Sequence, residues 1–247
     1  MCKECGQLSK IPAFIVKFAT MIPGREEIIV ELKDVINKRQ SVRHFSDQEV
    51  DKDTIAEIVK LASRAPSWVD SQPWRVYCAQ GEALAKIKKA YEDRQAQGIH
   101  SNPDIKVMSR TDWDVRSQEN MRLWRHDIVH HFDTYEEADS TINDAGDKLY
   151  YSSTILYITV PTQTPEWSIF DSGLFAENVM LLAADKGIAT IPTYHSVQHP
   201  DVLHKVLQVP DDEKFIIGIS LGYPEAGEKI NDYRSRRQPD ENVLYFR

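Results

Sequence analysis

The segment at residues 171–186 constrains the fold more than any other part of this 247-residue chain. Its apolar residues are almost continuous: Leu174, Phe175, Val179, Met180, Leu181, Leu182 and Ala183. A helix that is apolar on most of its sides is buried, because it has no polar face to turn to water. Gly187 supplies the stop at its C-terminal end. The sequence therefore predicts a central helix that the other elements must cover.

The remaining elements alternate irregularly between helix and strand. Apolar residues at helical spacing predict helices at residues 26–39, 51–65, 82–97 and 200–207. Runs rich in β-branched and aromatic residues predict strands at 75–79, 150–160, 188–194 and 214–221. Residues 98–147 are expected to be helical in parts. The absence of regular β-α-β alternation, and of G-x-G-x-x-G after a strand, argues against a dinucleotide-binding Rossmann domain. The pattern favours an α+β sheet wrapped by helices.

Charge and composition limit the partners of the chain. A net charge of −8 disfavours nucleic acid and anionic membranes as main partners, since both need a dense basic face. No apolar run approaches the roughly 20 residues of a membrane span. The polar N-terminus does not resemble a secretory signal, so we expect a cytoplasmic protein. We also expect residues 25–247 to form a single domain after an N-terminal extension at residues 1–24.

The sequence contains two small groups of potential metal ligands, one of cysteines and one of histidines. Cys2 and Cys5 have the spacing of half a zinc site, but no second cysteine pair completes one. His126 and His130 are four residues apart on a predicted helix, with His131 beside them. No further ligand has a fixed spacing to these histidines, which favours surface or dimer contacts over a metal site. We therefore expect no metal.

A basic segment at residues 38–45 follows the first predicted helix. It contains Arg39, Ser41 and Arg43. The planar guanidinium group donates two parallel hydrogen bonds and therefore suits a phosphate. The alternative is a solvated basic patch that stabilises the C-terminal end of the helix through its dipole.

A polar turn at residues 65–74 follows the next predicted helix. Pro66 fixes the chain, Ser67 and Asp70 offer short polar groups, and Gln72 and Pro73 return it to a strand at Trp74. The plain interpretation is a helix stop that precedes a buried tryptophan. The other interpretation is a turn shaped to contact a ligand.

Together the two segments resemble the FMN-dependent nitroreductase family, in which R-x-S-x-R precedes A-P-S-x-x-N-x-Q-P-W. The sequence Asp171-Ser-Gly173 is similar to the D-x-G of the family, and residues 184–192 are similar to its A-x-x-x-G-L-x-T-x-P. Residues 222–224 are similar to its G-Y-P, and residues 234–239 to its terminal basic R-x-P. The resemblance extends over residues ~33 to 242.

The resemblance implies an α+β fold with a central mixed, mainly antiparallel sheet wrapped by helices, in an intertwined homodimer. It implies that FMN is bound between the subunits, with Arg39, Ser41 and Arg237 at the phosphate and Arg43 at the ring. The implied cofactor-binding residues are Arg39, Gln40, Ser41, Arg43, Pro66, Ser67, Trp68, Asp70, Pro192, Thr193, Tyr194, His195, Arg236 and Arg237. Asp70 departs from the asparagine of the family, and an ionised carboxylate opposes negative charge on reduced flavin.

The implied function is an FMN-dependent NAD(P)H oxidoreductase that works by a ping-pong scheme. NADH or NADPH reduces the flavin and leaves. A flat acceptor such as a nitroaromatic or quinone then binds where the nicotinamide was and is reduced by the flavin. The cofactor carries the redox chemistry, so no side chain is assigned as a catalytic acid or base. The alternatives are a dehalogenase or a flavin-consuming enzyme on the same fold, or a non-catalytic flavin-binding or storage protein.

Overall fold

The structure, a computed structural model, describes residues 31–247. The predictions for residues 1–24, for Cys2 and Cys5, and for the first part of the 26–39 helix lie outside this range. The described helices are α1 (Leu32–Lys38), α2 (Lys52–Ala62), α3 (Gly81–Ala96), α4 (Val115–Val129), α5 (Tyr135–Asp147), α6 (Glu166–Asp185) and α7 (Pro200–Leu207). The described strands are β1 (Arg75–Gln80), β2 (Thr154–Pro161), β3 (Ala189–Thr193) and β4 (Glu213–Gly222).

These strands form one antiparallel sheet in the order β1-β2-β4-β3. Strand β2 is central and almost entirely buried, so its residues are apolar on both faces. An isolated parallel bridge between Ser41 and Thr190 attaches the basic segment to the outer edge of β3. The sheet is therefore mixed only at this bridge, and the expected mainly antiparallel α+β architecture is confirmed.

The two faces of β2 are buried by different helices. Leu156 and Ile158 belong to a core cluster with Ile58 of α2 and Phe175 of α6. Tyr157, on the opposite face, belongs to a second cluster that includes residues of α3 and α7. Successive side chains of a strand point to opposite faces, so one apolar strand supports both layers.

Helix α6 has the central position that its sequence predicts. It buries Phe175, Val179 and Ala183 against the sheet and α2. Trp74, which ends the polar turn, stacks on Phe175 with ring centroids 5.0 Å apart. The helix begins at Glu166, five residues before the predicted start, because Pro165 occupies the N-cap position and the first turn exposes Trp167 and Phe170.

Strand β2 begins later than predicted. The sequence predicts a strand from residue 150, but Leu149, Tyr150 and Tyr151 have φ angles of 49°, 59° and 60°. Left-handed backbone costs about 1–2 kcal/mol per residue for non-glycine residues and does not pair as a strand. The aromatic, strand-like composition of this segment therefore reflects side chains that pack around a turn.

The segment between residues 98 and 150 forms a cover beside the sheet. Ile128 of α4 and Ala138 of α5 pack with Ile230 and Tyr233 from the C-terminal region. The side chain of Asp114 caps α4 by accepting a hydrogen bond from Ser117 N at 3.1 Å. Within residues 31–247, no helix combines the length and apolar character that a membrane crossing requires.

We expect Gly218→Ala to destabilise the fold, because a Cβ at this position would overlap the Ser196 side chain. Overpacking of this kind costs roughly 1–3 kcal/mol in free energy of unfolding, measurable by urea denaturation. Ser196→Gly in the same chain removes the overlapping atoms and should recover part of that loss. Equal destabilisation in the single and double variants would contradict the steric explanation.

Candidate functional site

The basic segment is held by main-chain hydrogen bonds at the edge of the sheet. Val42 N donates to Thr190 O at 3.1 Å, and Phe45 N donates to Tyr150 O at 3.0 Å. Val42 is buried, so alternation along the extended chain at residues 41–43 leaves Ser41 and Arg43 outside that small core. The segment is therefore a fixed part of the fold.

Asn231 completes this attachment from the other end of the chain. Its Oδ1 accepts hydrogen bonds from Arg43 N at 2.9 Å and His44 N at 3.1 Å. Its Nδ2 donates to His44 O at 2.8 Å. This buried asparagine orients the backbone of the basic segment. Asn231 is not identifiable from the sequence alone, because a lone asparagine has no motif that pairs it with a residue 188 positions away.

A cavity of about 410 Å³ collects the basic residues from both ends of the chain, and we call it the basic pocket. Its lining consists of Ile36, Asn37, Arg39, Gln40, Ser41, Arg43, Glu177, Tyr233, Arg234, Ser235 and Arg237. The structure thus brings Arg39, Ser41 and Arg237 together, as the phosphate-site prediction requires.

The four arginines of the basic pocket lack carboxylate partners. Within residues 31–247, none of Arg39, Arg43, Arg234 and Arg237 forms an ion pair. Arg237 Nη1 donates only to backbone, at 3.1 Å to Ser235 O and 3.0 Å to Arg236 O. Four arginines against one carboxylate, Glu177, leave the lining with net positive charge, and in a protein of net charge −8 this matches an anion such as a phosphate.

Gln40 adds a side-chain amide to the lining of the basic pocket. Its Nε2 donates to Asn231 O at 3.1 Å, whereas its Oε1 is buried and has no hydrogen-bond partner among residues 31–247. A buried polar atom without a partner costs roughly 1–3 kcal/mol. The hydrogen bond to Asn231 instead holds Gln40 in the pocket wall between Arg39 and Ser41, so the group that the lining fits is an anion such as a phosphate.

Arg43 lies between the basic pocket and a second cavity. Its guanidinium carbon is 6.0 Å from the Trp124 ring centroid and 5.9 Å from that of Tyr233. Burial lowers the pKa of Arg43 from its ordinary value, although the group stays charged at physiological pH. Arg43 Nη1 donates a hydrogen bond to Ser41 O at 3.1 Å, which orients the guanidinium group beside the two rings.

The second cavity is wider, about 770 Å³, and we call it the open cleft. It shares Ser41 and Arg43 with the basic pocket. Its other lining residues are Arg110, Trp124, Arg125, Ile142, Asn143, Asp147, Tyr150, Ile191, Pro192 and His195. The two cavities therefore adjoin at Ser41 and Arg43, and the open cleft combines apolar residues such as Trp124 and Ile191 with charged ones. Their volumes are in the range of cofactor and substrate sites.

His195 and Tyr150 meet in the wall of the open cleft. The Tyr150 hydroxyl is 3.3 Å from His195 Nδ1. Gly146 permits this position, because a Cβ there would be 3.0 Å from His195 Nε2. Burial lowers the pKa of His195, and the charge of Asp147 opposes that effect. The imidazole is therefore neutral at physiological pH.

The predicted site residues at the end of β3 differ in their surroundings: one lines the open cleft, and two form hydrogen bonds within the turn. Pro192 lines the open cleft, as predicted for a cofactor contact. Thr193 is buried, and its Oγ1 accepts a hydrogen bond from His195 N at 3.1 Å. Tyr194 is partly exposed, and its hydroxyl donates to Ser101 Oγ at 2.7 Å. Thr193 and Tyr194 thus hold the turn, and their contact with a cofactor stays a prediction.

The turn with Pro66, Ser67, Trp68 and Asp70 lines neither the basic pocket nor the open cleft of its own chain. Ser67 Oγ accepts a hydrogen bond from Gln72 N at 2.9 Å, and Asp70 Oδ1 accepts one from Gln72 Nε2 at 2.9 Å. Val69, Asp70 and Gln72 have positive φ angles. The roles predicted for the turn at a cofactor therefore require a second chain, and they stay predictions.

Buried Asp171 supports this turn from α6. Its Oδ2 accepts a hydrogen bond from Trp68 N at 3.0 Å. The similarity of residues 171–173 to the D-x-G motif therefore corresponds to a carboxylate that holds the polar turn.

Arg236 differs from its neighbour Arg237. Its guanidinium group donates to both carboxylate oxygens of Asp127 at 2.6 Å and lies outside the basic pocket. Its predicted cofactor role stays a prediction, and the geometry favours Arg237 at the phosphate. His126 and His130 stack with ring centroids 3.9 Å apart. Among residues 31–247, no three His, Cys, Asp or Glu residues are grouped as metal ligands.

Comparison with known proteins identifies the family of this chain. A family profile described as the nitroreductase family matches residues 36–223, which is more than half of the chain. A 4-nitrobenzoate reductase from Pseudomonas putida is 24% identical over 219 residues, covering 86% of this chain and 93% of that protein. An iodotyrosine deiodinase from Haliscomenobacter hydrossis is 25% identical over 242 residues, covering 95% and 98%.

Among solved structures, the FMN-dependent nitroreductase NfnB from Mycobacterium smegmatis in complex with NADPH has a TM-score of 0.79 at 23% identity. The superposition covers 87% of this chain and 97% of NfnB. The chain belongs to the nitroreductase family of oxidoreductases, and the resemblance found in its sequence is confirmed.

We expect His195 to make the protein less stable in mild acid. Because burial lowers its pKa in the folded state, the unfolded chain takes up a proton first as pH falls below about 6.5, and folding stability is lost down to the lowered pKa. His195→Gln should reduce this pH dependence by up to about 1.4 kcal/mol per pH unit in that window. Urea denaturation between pH 5 and 7.5 measures it, with exposed His100→Gln as the control. If the free energy of unfolding depends on pH equally in both variants, His195 is not the source of the acid sensitivity.

Proposed function

We propose that this chain is an FMN-dependent NAD(P)H oxidoreductase that reduces nitroaromatics, quinones or similar flat acceptors. The observation that carries the proposal is the basic pocket, where Arg39 and Arg237 from opposite ends of the chain form no ion pair within residues 31–247. A phosphate there would neutralise them. The adjoining open cleft then holds a flat ring system between Pro192 and Trp124.

When bound, FMN supplies hydride transfer between NAD(P)H and the acceptor. The side chains of this chain bind and orient it. Arg39, Ser41 and Arg237 hold the phosphate, and Arg43 presents its fixed guanidinium to the electron-rich edge of the ring. The apolar side chains of Trp124, Ile142 and Ile191 in the open cleft would pack against the flat ring. In this proposal the donor and the acceptor occupy the same open cleft in turn.

The proposal includes a homodimer. Trp68, Val69, Trp167 and Phe170 form an exposed aromatic patch, with side chains 55–85% accessible. Trp68 stacks on Trp167 at 5.5 Å, and Trp167 contacts Phe170 at 6.2 Å. Contiguous exposed apolar surface of this kind marks an interface. A second copy of the chain would cover the patch and bring Ser67 and Asp70 to its FMN.

The alternatives differ in what they do with bound flavin. A halotyrosine dehalogenase is supported by the iodotyrosine deiodinase relative, and a flavin-consuming enzyme or a non-catalytic flavin-storage protein remains as a rival. The test is to release the flavin, identify it as FMN, and record its bleaching by NADPH and NADH. Reoxidation rates with nitroaromatics, quinones and halotyrosines then rank the acceptors. Stable yellow flavin in the presence of both nucleotides would overturn the oxidoreductase proposal.

Removal of Arg39 or Arg237 should weaken FMN without weakening riboflavin, which lacks the phosphate. Each arginine contributes a charged hydrogen bond worth roughly 1.5–3 kcal/mol, so FMN affinity should fall by a factor on the order of 10 to 100. Titration of each apo-variant by flavin fluorescence gives both dissociation constants. Arg43→Ala should weaken both ligands, because its proposed contact is with the ring.

Arg236→Ala is the matched comparison for Arg237→Ala. Arg236 is paired with Asp127, so its removal should change FMN affinity by less than about threefold. A loss specific to FMN in Arg236→Ala, with none in Arg237→Ala, would transfer the phosphate assignment to Arg236.

Asp70→Asn should raise the midpoint potential of bound FMN. In the dimer the Asp70 carboxylate lies near the ring, where its charge disfavours the added negative charge of the reduced form. The expected shift is on the order of tens of millivolts for a two-electron couple. Spectroelectrochemical titration measures it. An unchanged or lowered potential would place Asp70 away from the flavin.

A charge in the exposed aromatic patch should disrupt the dimer. Trp167→Glu places a carboxylate in the proposed interface, and burial of an unpaired charge costs several kcal/mol. Sedimentation velocity should then show monomer with depleted FMN. Val115→Glu, on the exposed face of α4, is the control. A Trp167→Glu dimer with full FMN content would refute this interface.

A further inference from the structure

The open cleft carries more positive charge than a phosphate site explains. Arg110 and Arg125 line its wide end and do not line the basic pocket. They also line an adjoining groove of about 310 Å³, formed by Arg110, Thr111, Gln118, Met121, Arg122 and Arg125. Asp147 is the acidic residue in the cleft lining, and its Oδ2 accepts a hydrogen bond from Gln95 Nε2 at 2.7 Å.

The three arginines of this region differ in their partners. Arg122 is neutralised by Glu119, through two hydrogen bonds of 2.7 Å. Arg125 Nη2 donates to Asp139 Oδ1 at 2.5 Å, which positions its guanidinium beside Asn143 in the cleft wall. Within residues 31–247, Arg110 forms no ion pair at all.

We propose that Arg110 and Arg125 form an anion subsite that selects substrates with a negatively charged group at the wide end of the open cleft. The inference deepens the proposed function, on which it rests. A flat ring held by Trp124 and Ile142 would direct a carboxylate toward these arginines. Guanidinium groups bind carboxylates and phosphates through the same planar fork. The anion is therefore the carboxylate of an aromatic acceptor or a phosphate of the nicotinamide dinucleotide.

Arg125 and Arg110 have complementary roles in this subsite. Arg125 is anchored by Asp139, whose Oδ2 accepts a hydrogen bond from Asn143 Nδ2 at 3.0 Å. Because its charge is paired with Asp139, Arg125 supplies hydrogen-bond donors of fixed position, and Arg110 supplies the positive charge that has no ion-pair partner within residues 31–247. Arg110 is exposed, in a short turn before α4, and can close on the anion from outside. Arg110 is the better residue to substitute, because within residues 31–247 its side chain forms no ion pair that the substitution would break.

The first test uses unreactive probes, so that its outcome is independent of catalysis. Benzoate and its neutral analogue benzamide are titrated calorimetrically into the purified, flavin-loaded protein. Arg110→Met should weaken benzoate by roughly three- to tenfold and leave benzamide unchanged. Arg110→Lys should retain part of the benzoate affinity, because the charge remains. Added salt should weaken benzoate alone.

Arg116→Met is the matched control, since Arg116 is exposed on α4 and lines none of these cavities. Equal losses for benzoate and benzamide in Arg110→Met would overturn the subsite. An equal benzoate loss in Arg116→Met would also overturn it, because the effect would then be a general surface field.

The second test identifies the source of the anion. If it is an acceptor carboxylate, Arg110→Met should lower kcat/KM for 4-nitrobenzoate relative to nitrobenzene. If it is the 2′-phosphate of NADPH, the ratio of kcat/KM for NADPH and NADH should fall instead. Either result supports the subsite, and constancy of both ratios contradicts it. Charge-selective benzoate binding without nitroarene reduction would retain the subsite while removing the proposed function.

Discussion

The main-chain attachment of residues 41–45 to the edge of β3 is the constraint on which the site depends. The bridge from Ser41 to Thr190 and the clamp by Asn231 fix an extended segment beside the sheet. Period-two alternation then separates its side chains, so that Val42 is buried while Ser41 and Arg43 line the cavities. The C-terminal arginines reach the same place because the residues near Asn231 are held by this segment. Two distant basic stretches thus become one pocket.

Much of the architecture follows from local sequence rules. The continuous apolar residues of α6 and the β-branched composition of β2 and β4 predict the central layers, because burial on both sides requires such residues. The basic pocket is also predictable in part, since Arg39 and Arg237 are identified from similarity at both ends of the chain. Boundaries were predicted less accurately where tertiary contacts decide the backbone. The Leu149–Tyr151 turn, for example, has the composition of a strand but left-handed angles.

The rest of the site depends on contacts that no spacing in the sequence encodes. Asn231 acts across 188 positions, and Arg236 and Arg237 are adjacent in sequence but have different partners. In a single chain, neither cavity is lined by Pro66, Ser67, Trp68 or Asp70. Their predicted role at a cofactor therefore depends on the proposed second chain. The cover between residues 98 and 150 carries Arg110 just before α4 and Arg125 on α4. Its polar, aromatic sequence has no simple period from which its packing could be predicted.

The excess of arginines in the basic pocket has a consequence for the lifetime of the protein. Without a bound anion their like charges repel one another, and an anion in the pocket relieves this repulsion. A ligand that binds the folded state alone stabilises it by RT ln(1 + [L]/Kd), which is about 2.7 kcal/mol at a hundredfold excess over Kd. If the anion is FMN, the flavin supply adds to the stability of the folded chain. The fraction of the protein that is unfolded and open to proteolysis then falls as the flavin concentration rises.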